Sequence, residues 1–176
     1  RYLLICKSKK HAANKTAVIC RMPLVYQQNI NEDTRLGLWH ISEPESFFLQ
    51  TVPLQNNITH PHKRLQHLAG RLLLTELFGD FPIELIQIAD TRKPFLPNES
   101  FHFSISHCGS YAAAIVSRTA RVGVDIEVVA GKVERIQHKF LVAEEIELLN
   151  ELCNESTGLS KLDLLTVSWS VKEALF

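Results

Sequence analysis

The stretch from Pro61 to Phe78 limits the architectures open to this chain more than any other. Proline stands in its first turn, where a missing N–H leaves no hydrogen bond broken. Leu65, Leu68, Ala69, Leu72 and Leu73 form one apolar stripe, and Gly79 closes it. The pattern predicts an amphipathic helix with a single core-facing side. Around it the sequence alternates in strand fashion. Phe101, Phe103 and Ile105 alternate with His102, Ser104 and Ser106, Cys108-Gly109-Ser110 makes a turn, and Tyr111 to Ser117 returns. Arg121 to Val128 alternates again, so Val124 and Ile126 share one face and Asp125 and Glu127 the other.

Further strands are expected at Tyr2 to Cys6, Thr16 to Met22, Leu36 to Ile41 and, briefly, Leu85 to Ala89. Ser42-Glu43-Pro44-Glu45 reads as a helix start capped by Ser42. Pro94 disfavours helix in the Asp90 to Pro94 loop. Helices are expected over 132–140, 143–153 and 162–176, with a looser segment from Asn154 to Ser160. The whole is an α+β pattern.

With 176 residues, 45% of them hydrophobic, the chain can bury a core in one domain or two small ones. No apolar run nears the roughly 20 residues that span a bilayer, and no secretory signal is visible, so a soluble protein is expected. Cys6, Cys20, Cys108 and Cys153 are scattered without a C-x-x-C pair and read as free cytosolic thiols rather than disulfides or a zinc site. Net charge is zero but polarised. Residues 1–31 hold six bases and no acid, whereas from Gly123 onward ten acids face five bases. A basic half suits an anion and an acidic half a cation; for single lysines, a solvated loop is the ordinary case. The chain starts without Met and stops at Phe176 inside a helical pattern, so residues beyond it are expected.

A faint repeat accompanies the charge split. Gly37-Leu38-Trp39-His40-Ile41 and the Pro61 helix parallel Gly123-Val124-Asp125-Ile126-Glu127 and the helix carrying Trp169-Ser170-Val171-Lys172-Glu173-Ala174. Only the second copy carries the acids. Alone, Asp125 and Glu127 are the wet face of a strand, and Glu173 an exposed helix carboxylate, one turn beyond a tryptophan expected to be buried. Together, three acids suit magnesium, which takes oxygen ligands and shares them with substrate phosphates; zinc would want His or Cys. His107 and Ser106, at a strand end before a turn, could hydrogen-bond a phosphate, or His107 could serve its own turn. Lys93-Pro94 is a rigid loop with a cation. Arg64, His67 and Arg71 share one helix face, either for phosphate or as the helix's wet side.

Phe103-Ser104-Ile105-Ser106-His107, Gly123-Val124-Asp125-Ile126-Glu127 and Trp169-Ser170-Val171-Lys172-Glu173-Ala174, in that order and after Lys93-Pro94, resemble the 4'-phosphopantetheinyl transferase superfamily. The resemblance covers residues 92–176 well and the first ninety loosely. A helical N-terminal half makes the chain look like the longer, surfactin-synthetase-activating (Sfp) type. That implies a cytoplasmic, monomeric pseudo-dimer of two similar subdomains, 1–91 and 92–176, each a small antiparallel sheet packed with helices. It implies a holo-[acyl-carrier-protein] synthase activity: the phosphopantetheine arm of coenzyme A moves to a serine of an apo acyl or peptidyl carrier protein, releasing adenosine 3',5'-bisphosphate. Neither nucleic acid nor membrane is an expected partner.

By position, the resemblance makes Asp125, Glu127 and Glu173 the Mg²⁺ ligands, and Lys172 a charge at the phosphates. His107, Ser106, Lys93 and Pro94 hold the nucleotide end, and Arg64 and Arg71 its phosphates. Phe140-Leu141-Val142-Ala143-Glu144-Glu145 matches a segment with two aromatics and a general base; Leu141 departs from it, and Glu145, or Glu144 one position off, is the base. The fatty-acid, polyketide, peptide-synthetase and lysine-pathway carriers all remain open. Two alternatives stand beside this reading: a coenzyme A or carrier-protein binding module without transfer, and a Mg²⁺-dependent phosphohydrolase.

Overall fold

A computed structural model describes residues 24–54, 58–154 and 158–175. The strands expected at Tyr2 to Cys6 and Thr16 to Met22 lie outside the described residues. Four antiparallel strands form the main sheet: β1 (Leu24–Asn31), β2 (Thr34–His40), β5 (His102–Cys108) and β6 (Tyr111–Ser117), in the order β1-β2-β6-β5. Two strands come from before residue 91 and two from after it, joined where Gly37 faces Ala114 across the β2–β6 ladder. The β5–β6 hairpin turns at Gly109, whose φ of 55° lies where an L side chain is disfavoured. A two-stranded sheet, β3 (Gln87–Ile88) with β4 (Pro94–Phe95), carries the Lys93 loop; a 3₁₀ turn, Ile83–Leu85, precedes it.

The sheet's two faces are covered differently. On one lies α2 (Pro61–Leu77), as its stripe predicts: Leu68, Leu72, Leu73 and Leu77 are buried with Trp39, Ala112, Ala114 and Val116. Gly70 lets the helix close on β5, for a Cβ there would meet Ile105 Cγ2 at 2.6 Å. On the other face Leu36, Leu38, Ala113 and Ile115 meet Val124 and Ile126. The short α1 (Glu45–Phe48) packs Phe48 on the α2 side. It starts at Pro44, which has no side-chain acceptor to cap it; Ser42, the expected cap, lies two residues earlier and its hydroxyl donates to Glu43.

The C-terminal part is helical: α3 (Lys132–Ile136), α4 (Ala143–Asn154) and α5 (Lys161–Leu175), clustered around Val133, Leu141, Leu149, Leu164 and Leu165. A 3₁₀ turn, Gln137–Lys139, replaces the end of the helix expected over 132–140. The α+β class is as expected. Arg121 to Val128 departs from expectation: its side chains alternate as a strand's would, but it joins no backbone ladder. β1 was not expected, since an edge strand exposed along most of its length lacks apolar alternation.

Candidate active site

Residues 121–125 and the last turn of α5 form two walls of a cleft of about 440 Å³. Asp125, Glu173, Ser106, Lys93 and Pro94 all line it, together with Arg121 and Phe103. Gly123 makes the walls meet. An ideal Cβ there would stand 1.8 Å from the Ala174 carbonyl oxygen, so only glycine admits the α5 backbone at this point. That contact sets Asp125 and Glu173 beside one space.

Asp125 is only 9% exposed, rather than on the wet face its alternation implied. Its Oδ1 accepts a 2.7 Å hydrogen bond from the Ser106 hydroxyl, which itself accepts the Ile126 backbone N–H at 3.2 Å. Its Oδ2 is buried with no hydrogen-bond partner. A buried ionised oxygen without a partner is costly, and a cation is what would relieve it. Glu127 accepts from Cys108 Sγ at 3.5 Å and lines a smaller cleft of about 100 Å³ with Lys132, Thr166 and Trp169. Burial, and after it the nearby Glu127, push the Cys108 thiol above its ordinary range, while the Val128 amide pulls it down.

Among the described residues no three His, Cys, Asp or Glu side chains are grouped as a metal site. The donor set nonetheless fits magnesium: carboxylate oxygens only, one of them buried without a hydrogen-bond partner, on a residue that lines a cleft with room for substrate phosphates and water. Asp125 and Glu173 share that cleft; Glu127 does not line it.

Trp169 is half-buried rather than buried, edge-on to Phe140 with ring centroids 5.1 Å apart. A third cleft, of about 560 Å³, joins these rings with Lys139, Lys172 and Glu173. Lys172 bonds Glu145 Oε2 at 2.7 Å, and the same oxygen accepts the Val142 N–H at 3.0 Å. Glu145 thus closes the first turn of α4 as the acid of a capping box does. The Lys172 bond foremost, then the Val142 amide, hold its carboxyl below the usual range. Glu144 is exposed.

The basic residues gather elsewhere. Ser106 and His107, adjacent on β5, face opposite sides. Ser106 meets Asp125, whereas His107 stands with His62, Lys63 and His67 of α2, and burial first, then Lys63 and His62, lower its pKa. Arg71 is 4% exposed, so this helix face is not the wet one; its Nη1 lies 2.6 Å from Nε2 of His67. Burial, then Arg71 and His107, push His67 down to about 4. Arg64 pairs with Glu45. Neither arginine lines the clefts that hold the carboxylates. Sequence reasoning missed Cys108, Arg121 and Lys139. Cys108 had one readable signal: Ser106 and Cys108 are two apart, as are Asp125 and Glu127.

Residues 121–176, which supply both of those walls of the Asp125 cleft, match the family model for the 4'-phosphopantetheinyl transferase superfamily. Curated relatives match a longer stretch. Enterobactin synthase component D of Salmonella austin is 31% identical over 115 residues, covering 65% of this chain and 47% of that protein. The Escherichia coli O157:H7 protein of the same name is 32% identical over 117 residues, or 65% of this chain and 53% of its own length. The chain spans about half the length of the curated relatives it matches. The resemblance is borne out over this segment, which holds the second and third of the three motifs.

Proposed function

We propose that the chain supplies the catalytic part of a magnesium-dependent 4'-phosphopantetheinyl transferase of the surfactin-synthetase-activating type, acting on coenzyme A and an apo acyl or peptidyl carrier protein. One observation carries the reading: Asp125, whose Oδ2 is buried and unpartnered, lines a cleft that Glu173 also lines, within the segment that matches the superfamily. The enterobactin synthase components it resembles support a carrier-protein substrate. The free thiols of Cys108 and Cys153 suit a reducing cytoplasm. The remaining expectations, a monomer with a basic 1–91 half and an acidic 92–176 half, belong to the same proposal; the shared sheet joins the two segments in one layer.

In this reading the carrier serine oxygen attacks the phosphorus that bears the pantetheine arm, and the bond to the adenosine bisphosphate oxygen breaks. Asp125 and Glu173, which share the cleft, would hold Mg²⁺ together with Glu127, two residues from Asp125, and the ion would supply positive charge against that developing on the phosphates. The Lys172 ammonium lies within one turn of Glu173 and adds positive charge at the same end. Its bond to Glu145 keeps that carboxylate ionised, the form needed to take the serine proton; exposed Glu144 is the neighbouring candidate. Lys93, Pro94 and Ser106 line the Asp125 cleft and in this reading would hold the nucleotide end. Across β5 from that cleft, His107 of β5 and Arg71 and Arg64 of α2 would serve the nucleotide's phosphates. His107 is neutral at pH 7 in this setting and serves as a hydrogen-bond partner rather than a charge.

Incubating the protein with coenzyme A, Mg²⁺ and apo carrier proteins, then weighing the carriers by mass spectrometry, tests the reading. A phosphopantetheine mass gain is expected, lost on chelation and lost in Asp125→Ala. No gain on any carrier, or full activity in Asp125→Ala, overturns it. Coenzyme A binding without transfer, or adenosine bisphosphate release without a carrier, would point instead to a binding module or a phosphohydrolase.

A further inference from the structure

The Asp125 cleft continues into another of about 310 Å³. Lys93, Pro94, Phe103, Arg121 and Val122 line both, so these residues mark the junction. Arg121 is directed there by its neighbours. Val122, Val124 and Ile126 pack on the sheet, which turns the alternate side chains, Arg121 and Asp125 among them, to the other face. Gly123, between those two, carries no side chain to part them. The cleft thus holds two cations, Lys93 and Arg121, beside two carboxylates, Asp125 and Glu173. Among the described residues Arg121 is ion-paired with neither carboxylate and makes no side-chain hydrogen bond. The arginines of α2 differ: Arg64 pairs with Glu45 and Arg71 meets His67, both outside this cleft.

We propose that Arg121 is a substrate-binding residue whose guanidinium takes a phosphate of the nucleotide substrate inside the carboxylate-lined cleft. This rests on the coenzyme A reading above and adds to it a residue outside the three motifs. An exposed guanidinium that pairs with neither carboxylate of its own cleft has its N–H donors available to a ligand. Its planar fork matches two phosphate oxygens at once, which an ammonium does not. Asp125 and Glu173 repel the same phosphate, so the cleft's own cations are what let an anion settle beside them. Coenzyme A carries phosphate in two places, the pyrophosphate and the 3'-phosphate. A guanidinium at the junction of two clefts can meet either, and a ligand that lacks the 3'-phosphate tells which.

The test is calorimetric titration of the full chain with coenzyme A and with dephospho-coenzyme A, both in a chelator so that no metal contributes. Arg121→Ala is expected to weaken coenzyme A binding about ten- to a hundredfold, the scale of hydrogen bonds to a charged group. Arg121→Lys, which keeps the charge and loses the fork, is expected to lose less. Arg135→Ala removes the same charge from α3, outside the clefts, and should stay within about twofold. Because Arg121 is exposed and unpaired, its variants should melt within about 2 °C of wild type. Equal losses for the two ligands uphold the proposal and assign the pyrophosphate; a loss for coenzyme A alone upholds it and assigns the 3'-phosphate. Wild-type affinity for both ligands in Arg121→Ala overturns the proposal and leaves the coenzyme A reading standing. A loss in Arg135→Ala as large as that in Arg121→Ala overturns it in favour of a general charge effect. A wild-type protein that binds neither ligand, with or without Mg²⁺, removes both the proposal and the coenzyme A reading.

Discussion

Two strand-and-helix units of this molecule place a glycine against a helix and do so for opposite ends. In the first, β2 is held by ladders on both sides, and Gly37 lies under the side chains of α2. Leu36 and Leu38 point to one face and Trp39 to the other, all buried. In the second, residues 122–128 join no ladder; Val124 and Ile126 anchor them on the sheet, and Gly123 lies under the backbone of α5. The unit with the better-satisfied backbone is scaffold. The unit that gives up its ladder keeps side-chain donors for its carboxylates, and its Asp125, with one oxygen buried and unpartnered, lines a cleft. Backbone pairing absorbs small errors over many bonds; a segment held by two side-chain rungs and one helix contact does not.

The largest effect is therefore expected at Gly123. In Gly123→Ala the new methyl meets the Ala174 carbonyl, and a helix backbone cannot swing aside as a side chain can. Overpacking of this kind costs about 1–3 kcal/mol, or roughly 2–9 °C of melting temperature for a chain of this size. The shift also moves Glu173, and misplacement of about an ångström can cost on the order of a hundredfold in rate. A thermal melt and the carrier-loading assay check both. Wild-type rate and stability in this variant would break the contrast between the units.

Gly37→Ala is the matched control. Its methyl meets Leu73 Cδ1 at 3.0 Å and Leu77 Cδ2 at 3.1 Å, the far ends of flexible side chains. Replacing a strand glycine recovers about 0.5–1 kcal/mol of backbone entropy, which offsets the low end of an overpacking cost of about 1–3 kcal/mol. A net destabilisation below about 2 kcal/mol and transfer within about twofold are expected. A loss of activity as large as that of Gly123→Ala would show that the two units are not functionally distinct.

What the sequence made legible follows the same division. α2 and the β5–β6 hairpin were readable because period, proline and turn residues all agree there. Alternation in 121–128 told which side chains share a face, but it does not reveal whether the backbone finds a partner. Hence the strand was expected, and the buried state of Asp125 was not. Helical spacing put Arg71 on a polar stripe. Its burial depends on how α2 seats over β5, where Gly70 admits Ile105, and spacing along one helix carries no record of that. Asp125, Glu173, Ser106, Lys93 and Pro94, which the resemblance named together, line one cleft, a grouping that spacing along the chain does not reveal. Cys108 fell outside the matched motif residues, so its bond to Glu127 emerged only from geometry.

The smallest expected effect concerns the basic residues across β5 from the carboxylates. His67 is held neutral, titrating at about 4, because burial and the neighbouring Arg71 and His107 disfavour its charged form. In the unfolded chain it titrates near 6.5. Between those values the unfolded state takes up a proton that the folded state refuses, so this residue's contribution to stability falls as pH drops from about 6.5 to about 4. Above 6.5 both states are neutral and the contribution is constant. His67→Gln keeps an acceptor for Arg71 and removes the titration. The variant's melting temperature, taken relative to wild type at each pH, should hold steady above pH 7 and rise by a few degrees toward pH 4.5. His107 stays in both proteins and leaves its own acid-side slope, so the difference curve, not the absolute one, carries the effect. A flat difference curve would mean that these basic residues are hydrated enough to let His67 charge. The contrast with the buried, uncompensated oxygen of Asp125 would then rest on that residue alone.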